Sequence, residues 1–382
     1  TPDSLVWRLT MGMLVTLRYT YRLRPGRNAV RALEREWSVC RWLWNQAVAA
    51  KRERRYWLKD TDLTRLRAEH PWLAAGSVVA QQQVLRAFRS DKKARRFKSA
   101  KRDLPSMNYT RRGFSIQAGR LHLPHKTVIP VVWSRELPSE PSSVRVYRDS
   151  LGHWYASFVV EREEEALEPT GKAVGIDWGV KQVATATSPA YDLPHAERAR
   201  KAAAKLAKYQ RRMARRQPKP GQKASRGYRQ AKLQVAKVHK KVARQRQDAA
   251  RKWARKVVAE FDQIAVEDFE PKFLAKSRMA RKAADAAIGA TKRELIEFAK
   301  RAGRELVLVT PAYSTMTCGC CGTRAKSRLP LEERTFRCDA CGHVADRDRN
   351  AARVILAAAG FNRAGVDVVR RPDPPCAGMA AD

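Results

Sequence analysis

GKAVGIDWGVKQVATAT, residues 171–187, carries an apolar run that ends on a carboxylate. Ala173 to Ile176 read as a buried strand with Asp177 at its tip; Gly179 turns the chain, and KQVATAT returns as a second strand. The pattern recurs downstream. QIAV (263–266) is another short apolar run, and Glu267 follows it directly. ELVLV (305–309) is a further strand, with a helix before it at about 280–302 and a last helix from about 347 to 359 that has Asp348 near its start. A lone acid after a strand is a weak signal, because acids commonly begin loops. Two strands that each deliver a carboxylate, with a third acid at a helix start, make a more specific pattern. Hard divalent cations such as Mg²⁺ take carboxylate oxygens and keep several waters. Two such ions about 4 Å apart activate water and stabilise the leaving oxygen of a phosphodiester.

The charge balance points to the same substrate. The chain of 382 residues holds 78 Lys and Arg against 38 Asp and Glu, a formal net charge of +40. Residues 198–256 alone hold 23 Lys or Arg and one acid, Asp248. They read as two helices separated by the loop QPKPGQKASRG (217–227). The acids that would balance a merely solvated face are absent, so this segment is expected to meet nucleic acid. A membrane is the rival polyanion. No apolar run reaches the ~18 residues of a membrane span, and the N-terminus lacks the order of a signal peptide. The expectation is a soluble intracellular protein.

Seven cysteines stand at 40, 318, 320, 321, 338, 341 and 376. An odd count argues against a disulfide framework, and five of the seven fall within 24 residues. Cys318/Cys321 and Cys338/Cys341 are two C-x-x-C pairs with 16 residues between them, the spacing of a closed tetrahedral zinc site. Cys320 would leave C-x-C spacing with Cys318. Gly322 after Cys321 mirrors Gly342 after Cys341, which selects Cys321. With all four places filled by thiolates, the zinc is expected to be structural. His122, His125 and His343 show no ligand spacing with one another.

Helix and strand geometry sorts the neighbouring acids. Asp268 follows Glu267 along a strand and points to the opposite face. Asp346 suits a helix N-cap. Asp348 shares a helix face with Ala351, Ala352, Ile355 and Ala359, whereas Arg349, Asn350 and Arg353 lie with Asp346 on the polar side.

The N-terminal half reads differently. Residues 1–13 form a lead-in, and Leu14 to Leu23 alternate as a half-buried strand. Pro25-Gly26 turns the chain and Asn28 can cap a helix. Val30, Leu33, Trp37, Cys40, Trp44 and Ala47 form a helical core stripe. Trp42 and Trp57 are candidates for stacking on bases, while Trp37 and Trp44 belong to the stripe. Ser77 to about Phe97 is a further helix. Strands return between 112 and 161, with SVRVYRDSLGHWYASFVVE (143–161) a hairpin turning at Ser150 to Gly152. This order is that of a β-barrel-like unit with a helical insertion.

GIDWGVKQVATAT, VEDF and TC-x-x-CG…C-x-x-CG…DRDRNAARVI, in that order, resemble the three RuvC motifs and zinc ribbon of the TnpB family, the RNA-guided nucleases of insertion sequences, related to type V CRISPR effectors. YRLRP followed by CRWLWNQAV is similar to the family's opening. Phe269 stands where the family usually has Leu. The resemblance implies an α/β and α+β architecture. A wedge β-barrel over 14–165, with a helical recognition insertion at about 28–106, precedes an RNase H-like RuvC nuclease domain over 171–359. That domain includes a basic helical segment, 195–258, and the Cys₄ zinc ribbon at about 314–343; 360–382 is a tail. Position by position, the resemblance makes Asp177, Glu267 and Asp348 the catalytic Mg²⁺ ligands, holding two ions. It implies guide RNA and target DNA as partners, with a monomer on one RNA favoured and the oligomeric state left open, Mg²⁺-dependent cleavage of DNA, and a place in the prokaryotic cytoplasm, on the nucleoid when bound to DNA. A cleavage-inactive RNA-guided DNA-binding protein and a strand-transferring transposase are the alternatives.

Overall fold

The computed structural model describes residues 14–90, 96–163, 166–269, 277, 279–327, 329–330 and 332–361. The lead-in 1–13 and nearly all of the expected tail, including Cys376, lie outside the described residues. The chain divides into two compact units, Leu14–Arg162 and the segment from Glu163 onward.

In the first unit, β1 (Val15–Leu23) leads into α1 (Arg27–Glu53), α2 (Asp60–Glu69) and α3 (Val78–Ser90). Six strands follow: β2 (Ser106–Thr110), β3 (Ser115–Gln117), β4 (Arg120–Leu123), β5 (Thr127–Val132), β6 (Ser143–Arg148) and β7 (Trp154–Arg162). All pair antiparallel in the order β2-β6-β7-β1-β5-β4-β3. The alternation read from β1 is realised: Val15, Leu17, Tyr21 and Leu23 are buried and Thr16, Arg18 and Arg22 exposed. Met107 and Tyr109 of β2 share one core with Leu121 and Leu123 of β4, although these strands lie towards opposite ends of the sheet. The sheet therefore curls around that core. Tyr21 and Trp133 both pack on Phe158 inside it, and Trp133 stacks on Phe158 at 5.8 Å. Burying one such ring stabilises the fold by roughly 1.5–3 kcal/mol. The β6–β7 hairpin turns where expected, because the Asp149 carboxylate accepts from the Leu151 and His153 N–H groups and Gly152 takes φ +85°.

The helices of this unit correct two expectations. Gly26, not Asn28, is the N-cap of α1, so Asn28 falls inside the first turn. The helix begun near Ser77 is described as far as Ser90, and Arg96 and Phe97 are not helical. Trp37 and Trp44 are buried on the stripe, and Trp44 meets Phe88 edge-on while its indole N–H donates to the Arg96 carbonyl. Trp57 also packs against Phe88, and Trp42 packs against His70 and Trp72.

The second unit is built on a five-stranded sheet. Its elements run β8 (Ala173–Trp178), β9 (Gln182–Ala186), β10 (Leu193–Pro194), α4 (Arg198–Ala214), α5 (Arg226–Glu260), β11 (Gln263–Glu267), α6 (Ala280–Ala286), α7 (Ile288–Arg301) and β12 (Glu305–Val309). A two-stranded ribbon, β13 (Thr335–Arg337) and β14 (Val344–Asp346), leads into α8 (Arg347–Ala358). The sheet order is β10-β9-β8-β11-β12, parallel from β8 to β12 and antiparallel between β8 and β9.

Both faces of this sheet are covered, which is why β8 and β11 read as continuous apolar runs. Val174, Ile176, Ile264, Val266 and Leu306 face Trp253, Val257, Leu295 and Ala299 of α5 and α7. Ala265 and Val307 face Ile355 of α8. The α8 backbone lies so close to β8 that a Cβ on Gly175 would sit 2.0 Å from the Ala352 carbonyl oxygen. Only glycine permits that approach. The single helix expected at 280–302 is two, broken at Ala287, whose φ of +54° lies in the left-handed region. The apolar periodicity continues across the break, so the sequence pattern does not reveal it.

Candidate metal centres

The strand register brings two acids together. β8 and β11 pair parallel with Ile176 opposite Val266, so Asp177 and Glu267 follow side by side at the strand ends. Each lies two residues beyond Gly175 or Ala265, positions that face α8, and therefore shares that face. Their carboxyls act directly on each other and both are buried, 6% and 7% exposed. The Trp178 indole N–H fixes the end of β11 by donating to the Glu267 carbonyl at 3.1 Å. Burial, then the charges of Glu267 and Asp348, push the Asp177 carboxyl well above the usual range. Burial pushes Glu267 up to about 7. Two buried carboxyls in contact cannot both ionise cheaply, so the pair holds a proton or a cation. Asp268 lies on the other face, as strand geometry requires, and is paired with Lys292 of α7.

Asp348 arrives from α8. Asp346 caps that helix, its carboxylate accepting from the Asp348 and Arg349 N–H groups at 3.0 Å. The Asp348 carboxylate accepts from Arg334 Nη1 at 3.3 and 3.4 Å and lies 3.6 Å from Arg347 Nε. Its charge reaches Asp177, and so does that of Arg347, which lowers the Asp177 pKa. Among the described residues, the group of side chains gathered closely enough to hold a metal ion is the four cysteines, and the three carboxylates do not form such a group. Asp177 and Glu267 form a pair, and Asp348 stands beside it on an arginine.

The polar side assigned to α8 is also corrected. Asn350 is wholly buried, with Oδ1 accepting from the Gly319 N–H at 2.8 Å and Nδ2 donating to the Thr317 carbonyl at 2.7 Å. Arg349 is half-buried and makes a two-pronged pair with Asp192. Both residues reach parts of the chain far away in sequence, so helix periodicity alone leaves them looking solvent-facing.

Cys318, Cys321, Cys338 and Cys341 hold their four Sγ atoms within 4.8 Å of one another. Sγ of Cys318 lies 3.8 Å from that of Cys341, and Sγ of Cys321 lies 3.6 Å from that of Cys338. A tetrahedron with metal–sulfur bonds of ~2.3 Å has edges of about 3.8 Å, so the cluster fits one ion. The two knuckles repeat each other. Gly322 N–H donates to the Cys318 carbonyl and Gly342 N–H to the Cys338 carbonyl, with both glycines at positive φ. The Thr323 side-chain hydrogen bond pulls the Cys321 thiol down to about 6, favouring the thiolate that a metal takes. His343 stands outside the cluster, with Nε2 3.3 Å from Arg353 Nη1.

Arg334, Arg347, Lys292 and Asn350 are site residues that sequence reasoning missed. Arg334 carries no local signal, since its contact with Asp348 depends on how the ribbon folds back. Asn350 has a faint one: a weak helix former inside a helix.

Three family models match the chain. They are described as "Probable transposase" over residues 157–278, "Cas12f1-like, TNB domain" over 289–355 and "Helix-turn-helix domain" over 11–57. In the last segment the described residues form one strand and one helix of 27 residues. A Streptomyces pristinaespiralis protein named as an RNA-guided DNA endonuclease is 34% identical over 366 residues, covering 89% of this chain and 88% of that protein. The Escherichia coli K12 protein InsQ, named likewise, is 27% identical and covers 89% of this chain and 91% of its own length. A TnpB-like protein of Acanthamoeba polyphaga mimivirus is 30% identical over 129 residues, 32% of this chain and 24% of that protein. The fold resembles that in a cryo-EM structure of a Cas12f1–sgRNA–target DNA complex, with a TM-score of 0.50 at 12% identity, covering 90% of this chain and 98% of the other.

Proposed function

The chain belongs to the TnpB family, and from that premise we propose that it is an RNA-guided DNA endonuclease of an insertion sequence. The observation that carries the reading is the buried Asp177–Glu267 pair at the ends of two adjacent parallel strands. Nothing in the packing of an ordinary α/β sheet calls for two carboxyls in contact at that place. A cation-binding role does.

In this reading the second unit is an RNase H-like RuvC domain with an inserted zinc ribbon, and Leu14–Arg162 is the wedge barrel with its helical recognition insertion. Asp177 and Glu267 would hold Mg²⁺, and Asp348 would join them by exchanging its Arg334 partner. A bound divalent pair supplies charge neutralisation and a polarised water for hydrolysis of the phosphodiester. The chain's own groups do the rest. Trp178 fixes the strand end that carries Glu267. The sheet and α8 wall Asp177 off from solvent. Zinc in the Cys₄ cluster would be structural, and the Asn350 clamp ties the first knuckle to the helix that carries Asp348.

The partners are guide RNA and target DNA. Base pairing reads sequence while the protein holds backbone by charge. In the first unit, a groove of about 880 Å³ with Arg18, Lys98, Arg145, Trp44 and Tyr147 on its walls suits a nucleic-acid partner. No helix among the described residues is long and apolar enough to cross a membrane, and the proposed site of action is the cytoplasm. The pairing of Asp348 with Arg334 is the one observation that favours the second reading, a guided binder without cleavage.

Cleavage of supercoiled target DNA by the protein–guide RNA complex in Mg²⁺ decides between them. Asp177→Ala is expected to abolish it. An Asp177→Ala protein that cuts as fast as the parent sinks the nuclease assignment.

A further inference from the structure

We propose that the groove between α4 and α5 is a seat for the backbone of a single RNA strand, gripped by two lysine pairs that face each other across the helical hairpin, Lys201 with Lys241 and Lys205 with Lys237. The proposal rests on the RNA-guided reading above and adds where and how one strand is held.

The two helices are joined through a turn at Gly221, which takes φ +84°. In an antiparallel hairpin, positions equally far from the turn face one another. Lys205 and Lys237 are one such pair, and Lys201 and Lys241 are the next, one helical turn further from the loop. The groove has a volume of about 610 Å³, with Val238 and Val242 in its wall and no acid among the residues that line it. Arg198 adds a fifth cation at its end.

The groove is set apart by converging cations with no acid between them. Four other cations of the hairpin have carboxylate partners: Arg200 with Glu197, Arg246 with Asp285, Arg251 with Glu294 and Lys252 with Asp248. The four groove lysines are exposed, and none has a carboxylate partner among the described residues. Like charges one turn apart repel, and here two such rows face each other. A polyanion removes that repulsion. Lysines four residues apart rise about 6 Å along the axis, close to the spacing of successive phosphates in an extended strand. Each cross-hairpin pair can therefore take one phosphate.

The wall chemistry selects RNA. Gln234 and Gln245 flank the lysines. Each amide both donates and accepts, which matches a 2′-hydroxyl and has no counterpart on DNA. No aromatic side chain lines the groove, so bases are not read there.

The test uses full-length protein stripped of RNA. Binding of a short unstructured single-stranded RNA, and of DNA of the same sequence, is measured by anisotropy across a salt series. The variants carry Lys201→Gln, Lys205→Gln, Lys237→Gln and Lys241→Gln together, or Arg at the same four positions. With two phosphates lost at about 0.7 each, the Gln variant should bind RNA with a log–log salt slope shallower by ~1.4. The Arg variant should keep the parent slope, and the DNA slope should change less. The RNA-free Gln variant should also melt higher than the parent, because repulsion is relieved. An unchanged RNA slope, an equal loss for DNA, or a Gln variant that melts lower or fails to fold while the Arg variant folds would each overturn the proposal. The Asp177→Ala cleavage result bears on the nuclease reading alone. A parent that cuts guided targets while the Gln variant keeps its RNA slope sinks only the groove.

Discussion

Asn350, wholly buried on α8, holds Gly319 of the first cysteine knuckle through a 2.8 Å hydrogen bond from the Gly319 N–H to its Oδ1. Its amide nitrogen holds the Thr317 carbonyl at 2.7 Å in return. The knuckle and the helix that carries Asp348 are thus joined by one side chain whose hydrogen-bonding groups have no water to fall back on.

Asn350→Ala removes both partners. A buried group left unsatisfied costs roughly 1–3 kcal/mol, so the variant should lose about 2–4 kcal/mol in denaturant unfolding and release zinc to a chelator faster than the parent. Cys338→Ser should loosen the same junction from the other side. Cleavage should fall in both. A folded Cys338→Ser protein that cuts normally would show that the cysteine cluster and the proposed catalytic site are uncoupled.

Asp177→Asn should separate charge from packing. With burial and Glu267 raising its pKa, Asp177 destabilises the metal-free fold as pH rises and the carboxyl is driven to ionise. In chelator at neutral pH the variant is expected to melt higher than the parent. Added Mg²⁺ or Mn²⁺ should raise the melting temperature of the parent and leave the variant unmoved. Equal metal-induced shifts in both proteins would remove Asp177 from the cation site.

Glu36 supplies a pH dependence in the other unit. It is buried in α1, and its carboxylate accepts from the Ser77 N–H at 3.0 and 3.1 Å. Burial pushes it up to about 7, against the opposing pull of the Ser77 N–H. A carboxyl with a raised folded-state pKa contributes stability that is present below its unfolded value near 4.5 and is lost as pH rises through about 7. The loss amounts to roughly 3 kcal/mol at 1.36 kcal/mol per unit. Glu36→Gln should flatten the stability of this unit between pH 5 and 8. A parent whose stability rises over that range would contradict the assignment.

Arg334 pairs with Asp348 at 3.3 Å, so a cation held by Asp348 as proposed would have to displace it. A half-exposed pair of this kind is worth about 1 kcal/mol, which is roughly fivefold in affinity. Arg334→Gln should therefore bind Mn²⁺ about fivefold more tightly, measured by calorimetry on the free protein. Weaker Mn²⁺ binding would mean that Arg334 positions Asp348 for the metal instead of occupying it.

Much of the site is local, and local patterns are legible. An apolar run of strand length followed by one acid places Asp177 and Glu267 at strand ends, because a strand buried on both faces must be apolar until it emerges. The C-x-x-C-G repeat places four thiols and two positive-φ glycines. Asp346 is readable as a cap because capping depends only on the next three residues. The alternation of β1 and the turn chemistry of Asp149 and Gly152 are of the same kind.

What the sequence by itself determined, then, is which residues could meet a metal and which segments carry them, since periodicity and spacing act over a few residues. Only the tertiary structure decided who meets whom. The parallel register of β8 with β11 put Asp177 against Glu267; the fold-back of the ribbon put Arg334 on Asp348; the docking of α8 turned Asn350 and Arg349 inward from a face that reads as polar. The left-handed turn at Ala287 broke a helix whose apolar stripe runs on unbroken. Each of these is a contact between residues distant in the chain or a backbone choice made by packing, and neither leaves a period in the sequence.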